Sequence, residues 1–538
     1  MKKISCVIMS ALMLSSLAVA GCGGGSGSGG GSTTADEYKI SIACQAEESE
    51  QEVMEKLIKA YEAKNPKVKV SLRTFSGKAF GEFMSDVSLD RASSPNIIWT
   101  SDSLHADWDE FFIDLRPFYE RTDENGNIEM DYSLYYSSML DTAAQNGKFK
   151  PTKNYTGAFR SDDLDTSDGL DASDHSEYGL YFAPRDYNKP TILCNTALFM
   201  NLDKDYETTY KRVNSVETMP ADYLSTTARL EGIVAGENWN ELSDLFEFAK
   251  FTAERMQYLF SNASNSMKEN WRWISVLDLK LGWEPTYTTI LKGLGVDTII
   301  NEQDGTLKLS EIKETLEKLH EALYTVNNLY YADLDDLQFK QGNNMMRVVS
   351  RPVLLGYNNS LSDIFSDYVN EYNKAPLQAI QIPTDKIAAG CSGYAINRVW
   401  HGQGVTVDGE YRSYDDLSWD FIKFIISKEG QEIAGATGHN VPVLKSLYNA
   451  EDNGGVTPAW RNVEGFTHMN HDAWVAGEEL KQDWFNIYTA SSRVQFRNTI
   501  QTFFNSFATS NFGEGNLEKL ITETNKRYEA VGPNKNLR

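Results

Sequence analysis

YGLYFAPRDYNKPTILCNTALF, Tyr178 to Phe199, is the stretch from which the fold can be read. Two apolar segments, Tyr178 to Ala183 and Thr191 to Cys194, flank a polar turn bounded by Pro184 and Pro190. Proline fixes its own φ and pushes its predecessor toward extended backbone, so both segments read as strands and not as helix. Between the prolines, Arg185, Asp186, Tyr187, Asn188 and Lys189 place charge, amide and ring side by side. Apolar strands on either side of such a cluster point to buried strands surfacing into a cleft.

Upstream the chain alternates strand and helix. Tyr38 to Ala43 reads as a strand, and a helix opens at Ser49 with Glu52 three residues on, a capping box. Met54, Leu57, Ile58 and Tyr61 share one face of it, and Asn65-Pro66 stops it. Val68, Val70 and Leu72 alternate as a second strand; a helix over 78–89 and the buried strand Ile97-Ile98-Trp99 follow. Strands separated by single helices imply right-handed crossovers and a parallel sheet, with ligands gathering outside its carboxyl ends. Thr100, Ser101 and Asp102 stand at one such end. Residues 120–177, rich in Asp, Ser, Asn, Gly and Tyr, read as an insertion on the edge of this unit. Within them Asp123, Asn125, Asn127 and Asp131 alternate like a calcium loop, but the glycine is Gly126 and not the sixth position an EF-hand needs, so a plain turn is favoured.

Downstream the pattern is mainly helical. Trp239, Leu242, Leu245, Phe246 and Ala249 make one amphipathic face and Ile312, Leu316, Leu319 and Leu323 another. Val348-Val349 and Val353-Leu354-Leu355 read as strands, Leu377 to Ile382 as a return to the first unit, Tyr414 to Lys428 as a helix there, and Gly435 to Leu444 as a further crossing. Val494 to Tyr528 is helical.

At 538 residues the chain exceeds one core and suits two lobes. Its formal charge is −25, and −27 once a leader holding only Lys2 and Lys3 is removed. That excludes nucleic acid and an anionic membrane surface as electrostatic partners. Cys6, Cys22, Cys44, Cys194 and Cys391 form no C-x-x-C pair; the last three sit in apolar or small-residue runs and read as buried thiols, with one disulfide possible. Residues 1–21 have the lysines, apolar core and small-residue end of a secretory signal.

The Tyr178–Phe199 run resembles the lobe-crossing segment of the bacterial extracellular solute-binding proteins (family 1) that feed sugar ABC transporters. Asn195 and Phe199 hold the terminal positions of that family's G-x-P-x-x-x-x-x-P-x-x-x-x-N-x-x-x-F run, while Cys194 replaces its usual aromatic. VAGC at 19–22, PNIIWTSD at 95–102, NWNEL at 238–242, FKQGNNMM at 339–346 and AAGCSGYAIN at 388–397 follow in the family's order, the fourth resembling its F-x-x-G-x-x-x-M helix. The resemblance implies an α/β, periplasmic-binding-protein-like fold, with hinge crossovers and a ligand cleft between two lobes. On that reading the first lobe is 36–182 plus 375–432, with the insertion at 120–177, and the second is 183–374 plus 433–538. Val19 to Cys22 resembles a lipobox, which implies lipidation of Cys22, with 22–35 as a Gly/Ser tether reaching about 20 Å. Two or more acyl chains anchor stably. The implied partners are a carbohydrate, to be carried unaltered, and ABC permease subunits; the protein is expected to be a monomer with no cofactor.

Enzymatic signatures are absent: no G-x-S-x-G, H-E-x-x-H, Walker loop or strand-linked G-x-G-x-x-G occurs. His468-x-x-His471 with Asp472 has helical spacing but no third ligand cluster, so packed or solvated histidines are favoured over a metal. A glycoside hydrolase needs only paired carboxylates, which Glu47, Asp102 and Asp186 offer, yet 76 acidic residues supply such pairs freely. Sugar binding needs flat rings and planar polar groups. The candidates are Gln45 and Glu47 after the first strand, Asp102, the run Arg185, Asp186, Tyr187 and Asn188, and Tyr394. Trp271, Trp273, Trp283 and Tyr287 cluster in the second lobe; of these, Trp283 and Tyr287 join the candidates, with Trp283 the preferred stacking platform. Each has a plainer alternative: Arg185–Asp186 as a structural ion pair, Asp102 as a cap, Tyr394 as a strand residue. Trp239 is assigned to packing. Two rivals remain, a binding protein for another, non-sugar solute such as a peptide or polyamine, and a surface glycan-binding protein or hydrolase. The length favours an oligosaccharide over a monosaccharide.

Overall fold

The computed structural model describes residues 36–531 except 46–47, 76–82, 85–93, 102–108, 145–148, 153–154, 160–177, 302–303, 335, 476–492 and 510–514. The leader, Cys22, the tether, and the helix expected over 78–89 apart from residues 83–84 lie outside the described residues.

Two sheets organise the chain. The first is ordered β2-β1-β3-β9-β4, from β1 (Tyr38–Gln45), β2 (Val68–Phe75), β3 (Ile97–Ser101), β4 (Ala183–Asn188) and β9 (Gly390–Ile396). The second is β6-β7-β5-β8, from β5 (Thr191–Asn195), β6 (Ser275–Asp278), β7 (Asn344–Val349) and β8 (Leu377–Gln381). β1 runs parallel to β2 and β3, as single-helix crossovers require. β9 is antiparallel to both β3 and β4, because the chain re-enters the first sheet from the second and starts β9 where β4 ends: Asn188 stands opposite Gly390. The carboxyl ends of β1, β3 and β4 and the amino end of β9 therefore meet at one seam.

The seam is displaced from its expected place. β4 is hydrogen-bonded within the first sheet, so the first crossing falls at Lys189-Pro190 and not at 183. β8 pairs with β5 in the second sheet, so residues 377–381 stay with the second lobe and the return is made over 382–389. The cause is two-sided burial. In β8, Leu377 and Ala379 pack on one face of the second sheet and Ile380 on the other, as Leu193 alternates with Ile192 and Cys194 in β5. Residues 433–448 stay with the first lobe: the Tyr187 amide donates to the Val441 carbonyl (2.9 Å), and Val441, Val443 and Leu447 join the core beneath β4. The tail helices Arg493–Thr509 and Asn516–Val531 pack on the second lobe, as expected.

Other departures are local. Phe339 to Met346 is not a helix: Asp333 accepts from the amides of Leu337 and Gln338, Gly342 turns at φ 71°, and β7 starts at Asn344. Val353 to Leu355 opens the helix Leu354–Ile364 instead of a strand. The described part of 120–177 is no appended edge. Tyr132 and Tyr135 are fully buried against Tyr119, which meets Trp419 at 4.8 Å between ring centroids. Rings, which the composition showed, carry this packing without a helical period. Asp123 accepts from the amides of Asn125 and Asn127, the plain turn favoured over a calcium loop. Cys44, Cys194 and Cys391 are buried free thiols. Among the described residues no helix is long and apolar enough to cross a membrane.

Candidate functional site

One residue at the seam is out of register. Pro184 faces Gly393 and Asp186 faces Ser392, which leaves Arg185 as the extra residue of a β-bulge. Bulges re-aim side chains, and here two consecutive residues, Arg185 and Asp186, border the same cavity. Gly393 makes the close approach possible: a Cβ there would lie 1.8 Å from the Ala183 carbonyl oxygen.

The cavity holds about 230 Å³ and lies between the two sheets. Its first-lobe wall is a cross-linked polar layer. Glu50, in the first turn of the helix Glu48–Lys64, is buried; its Oε2 accepts from Arg185 Nη2 at 2.9 Å and lies 3.0 Å from His439 Nε2. Its Oε1 accepts from the Tyr394 hydroxyl at 2.8 Å. Arg185 Nη2 also reaches Asp186 Oδ2 at 3.0 Å, the structural ion pair weighed as the alternative. Asp186 accepts in addition from the Ser392 amide (3.1 Å), the Ser392 hydroxyl and Asn440 Nδ2 (2.8 Å). Burial pushes the Glu50 carboxyl up, but the Arg185 guanidinium and the His439 hydrogen bond outweigh it and hold the group at about 2. Among the described residues, Arg185 Nε and Nη1 find no hydrogen-bond partner.

The second-lobe wall is built differently. Trp283 precedes the helix Glu284–Gly293, with Lys280 Nζ 5.4 Å from its ring centroid. Glu284 is buried beside Arg497, whose Nε lies 3.5 Å from its Oε2. Trp99 of β3 stands on the first-lobe side, its Nε1 donating to the Ser392 hydroxyl at 3.3 Å. Ser350, Pro352 and Val353 close the cavity at the seam. Among the described residues, the carboxylates on the walls (Glu50, Asp186, Glu284) are matched in number by Arg185, Lys280 and Arg497.

Of the residues singled out from sequence, Gln45, Arg185, Asp186, Asn188 and Trp283 line this cavity. Tyr394 and Tyr187 do not: both are buried behind its floor, Tyr394 under Glu50 and Tyr187 on the core side of β4. Tyr287 is buried within the second lobe, stacked on Phe504 at 4.8 Å. Glu47 and Asp102 lie outside the described residues. Sequence reasoning missed Glu50, His439, Lys280 and Arg497. An acid in a first helical turn reads as a response to the helix dipole, which hid Glu50. Nothing in the order of residues marks His439.

Among the described residues no group of three or more His, Cys, Asp or Glu is placed to hold a metal. His468 and His471 bond the separate carbonyls of Leu377 and Phe466, as packed histidines do.

The sequence profile of a family described as "bacterial extracellular solute-binding protein" matches residues 56–462. No curated protein matches the chain. Among solved structures, the GacH receptor of Streptomyces glaucescens, studied unliganded and with acarbose, superposes with a TM-score of 0.56 at 12% identity, covering 93% of this chain and 100% of its own. A sugar transporter protein of Rhizobium etli in an open conformation gives 0.53 at 15% identity over 91% and 99%. UgpB of Mycobacterium tuberculosis, in complex with glycerophosphocholine, gives 0.57 at 14% identity over 92% and 98%. At these identities the likeness is one of fold.

Proposed function

The chain belongs to the bacterial extracellular solute-binding protein family, the non-enzymatic binding components of ABC transporters, and from that premise we propose that its ligand is a neutral carbohydrate. The observation that carries this reading is the cavity itself. Trp99 and Trp283 border it from opposite lobes, and the walls between them carry balanced charge and many hydrogen-bonding groups. Flat rings cover the apolar faces of a pyranose, and fixed donors and acceptors satisfy its hydroxyls. A polyamine or peptide calls for an uncompensated counter-charge, and the described residues of these walls supply none. The Arg185 guanidinium, fixed by Glu50 and Asp186, gives this wall a rigid, donor-rich edge.

The enclosed volume of about 230 Å³ is below the ~300–1,000 Å³ usual for drug-sized ligands. One or two sugar rings fill it, and any longer saccharide extends outward along the seam. The lobes close by a hinge at 189–190 and 382–389, ligand favouring the closed form by touching both walls. The ligand is handed to a permease by a monomer held at the cell membrane through lipid on Cys22 and the tether 22–35.

A thermal-shift screen of the protein lacking residues 1–35 tests the ligand class. A saccharide at a hundredfold excess over its dissociation constant should add about 2.7 kcal/mol of stability. If no saccharide shifts the midpoint while amino acids, polyamines or glycerophosphodiesters do, the carbohydrate reading fails. The anchor has its own test: Cys22→Ser should release the protein into the medium.

A further inference from the structure

At the pole of the second lobe opposite the cleft lies a second concavity, of about 820 Å³. β6 links the two: its amino end, Ser275, borders this concavity, and the chain beyond its carboxyl end supplies Lys280 and Trp283 to the cleft. Trp273 is 71% exposed here, the most exposed large apolar side chain among the described residues, and Tyr331 beside it is 52% exposed. Phe260 adds a third ring. Exposed indoles are uncommon on a soluble surface unless a partner covers them.

Both rings are held on rigid backbone. The Val276 and Leu277 amides donate to the Asn328 and Leu329 carbonyls at 2.9 and 2.8 Å, and the Tyr331 amide returns to the Leu277 carbonyl at 3.1 Å. Asn328, at φ 64°, clips the two loops together by donating from Nδ2 to the Ile274 carbonyl at 2.9 Å. The Arg272 guanidinium lies 5.1 Å from the Trp273 ring and pairs with Glu269 at 3.4 Å. Apart from Ile274 the rest of the lining is amide and hydroxyl, Gln257, Asn327, Asn328 and Gln338 among them. Among the described residues no carboxylate and no lysine lines it, on a chain whose formal charge is −25.

We propose that this surface is a second binding site for a neutral glycan chain, stacked on Trp273 and Tyr331 and hydrogen-bonded by the surrounding amides. Exposed flat platforms with planar hydrogen-bonding partners recognise sugar rings, and the one charged group lining this site, Arg272, is paired with Glu269. The site is independent of the cleft and does not rest on the identity of the cleft ligand.

Native electrophoresis through gels containing soluble starch, xylan or mixed-linkage β-glucan reads the site directly. At least one polysaccharide should retard the wild-type protein. Trp273→Ala should weaken that retardation at least tenfold with an unchanged melting temperature, and Tyr331→Ala should weaken it less. Trp283→Ala should leave the retardation intact while losing the thermal shift with small sugars, which separates failure of this site from failure of the cleft. The proposal is overturned if none of the three polymers retards the protein, or if Trp273→Ala is retarded like wild type. It is also overturned if sedimentation shows a dimer that Trp273→Ala dissolves, for then a second copy of the chain covers the surface.

Discussion

Each lobe buries one arginine in a cluster of carboxylates, and the two clusters have opposite designs. Arg185 and Arg347 are each 1% exposed. In the second lobe, Arg347 Nη1 bonds Asp278 Oδ2 (2.5 Å) and Asp333 Oδ2 (2.9 Å), and Nη2 lies 2.9 Å from Asp336 Oδ1. Three carboxylates close around one cation, and the cluster does not border the cleft. In the first lobe Arg185 spends one nitrogen on Glu50 and Asp186, keeps two without partners among the described residues, and borders the cavity. Arg347 Nε is likewise unpartnered among the described residues, so neither burial nor an unspent donor distinguishes a strut from a binding group; the position of Arg185 on the cavity wall does.

The largest effect should come from removing the first cluster's anchor. Glu50→Ala leaves Arg185 and His439 buried without their shared carboxylate, the kind of change that costs about 3–5 kcal/mol. Denaturant melts should show that loss, and ligand binding should fall with it. If Glu50→Ala melts like wild type, the first-lobe wall is not the rigid platform described.

The clusters should also respond to pH with opposite sign. The Glu50 carboxyl is lower in the folded protein, about 2 against an ordinary 4.5. The stability it contributes is present above pH 4.5 and is lost as pH falls toward 2. Asp278 is raised to about 6 from 3.8, because burial outweighs Arg347. Its contribution is present below pH 3.8 and is lost as pH rises through 6, about 3 kcal/mol for some two pH units. Melting temperatures from pH 4 to 7 should fall with rising pH in wild type and flatten in Asp278→Asn. A slope unchanged in that variant would show that the second cluster shares its proton differently.

The aromatic wall gives the next step down. Trp283→Ala should weaken ligand binding by about 2 kcal/mol, roughly thirtyfold, from lost ring burial and stacking. It should leave the fold nearly as stable as before. A larger loss of stability than of affinity would make Trp283 a packing residue.

Much of the fold was legible because its signals are local. Proline spacing around Arg185 to Asn188, the apolar face of Met54, Leu57 and Tyr61, and the strand Ile97 to Trp99 each depend on near neighbours in sequence. The lobe boundaries were not, since β4 and β8 declare their sheet only through pairing with β9, about two hundred and ten residues further on, and with β5. The site split along the same line. The run around Arg185 sits at a bulge that Pro184 foreshadows, whereas Glu50 and His439 meet across 389 residues and become a pair only when the chain folds. Tyr287 and Tyr394 show the converse: a tyrosine near a strand end reads the same whether its ring faces a cleft or a core.

Tyr394 supplies the smallest test. Its hydroxyl donates to Glu50 from behind the wall, and its ring lies 5.6 Å from the Arg185 guanidinium. Tyr394→Phe keeps the ring and removes one hydrogen bond to a charged acceptor, a loss of about 1.5 kcal/mol in melts. Because Glu50 keeps Arg185 and His439, the wall should hold its shape, and affinity should change less than threefold. An affinity loss beyond tenfold with stability unchanged would mean that the hydroxyl touches ligand and that the cavity reaches one layer deeper than Glu50. A loss in both would mean that this hydroxyl, and not Arg185 and His439, fixes the carboxylate of Glu50.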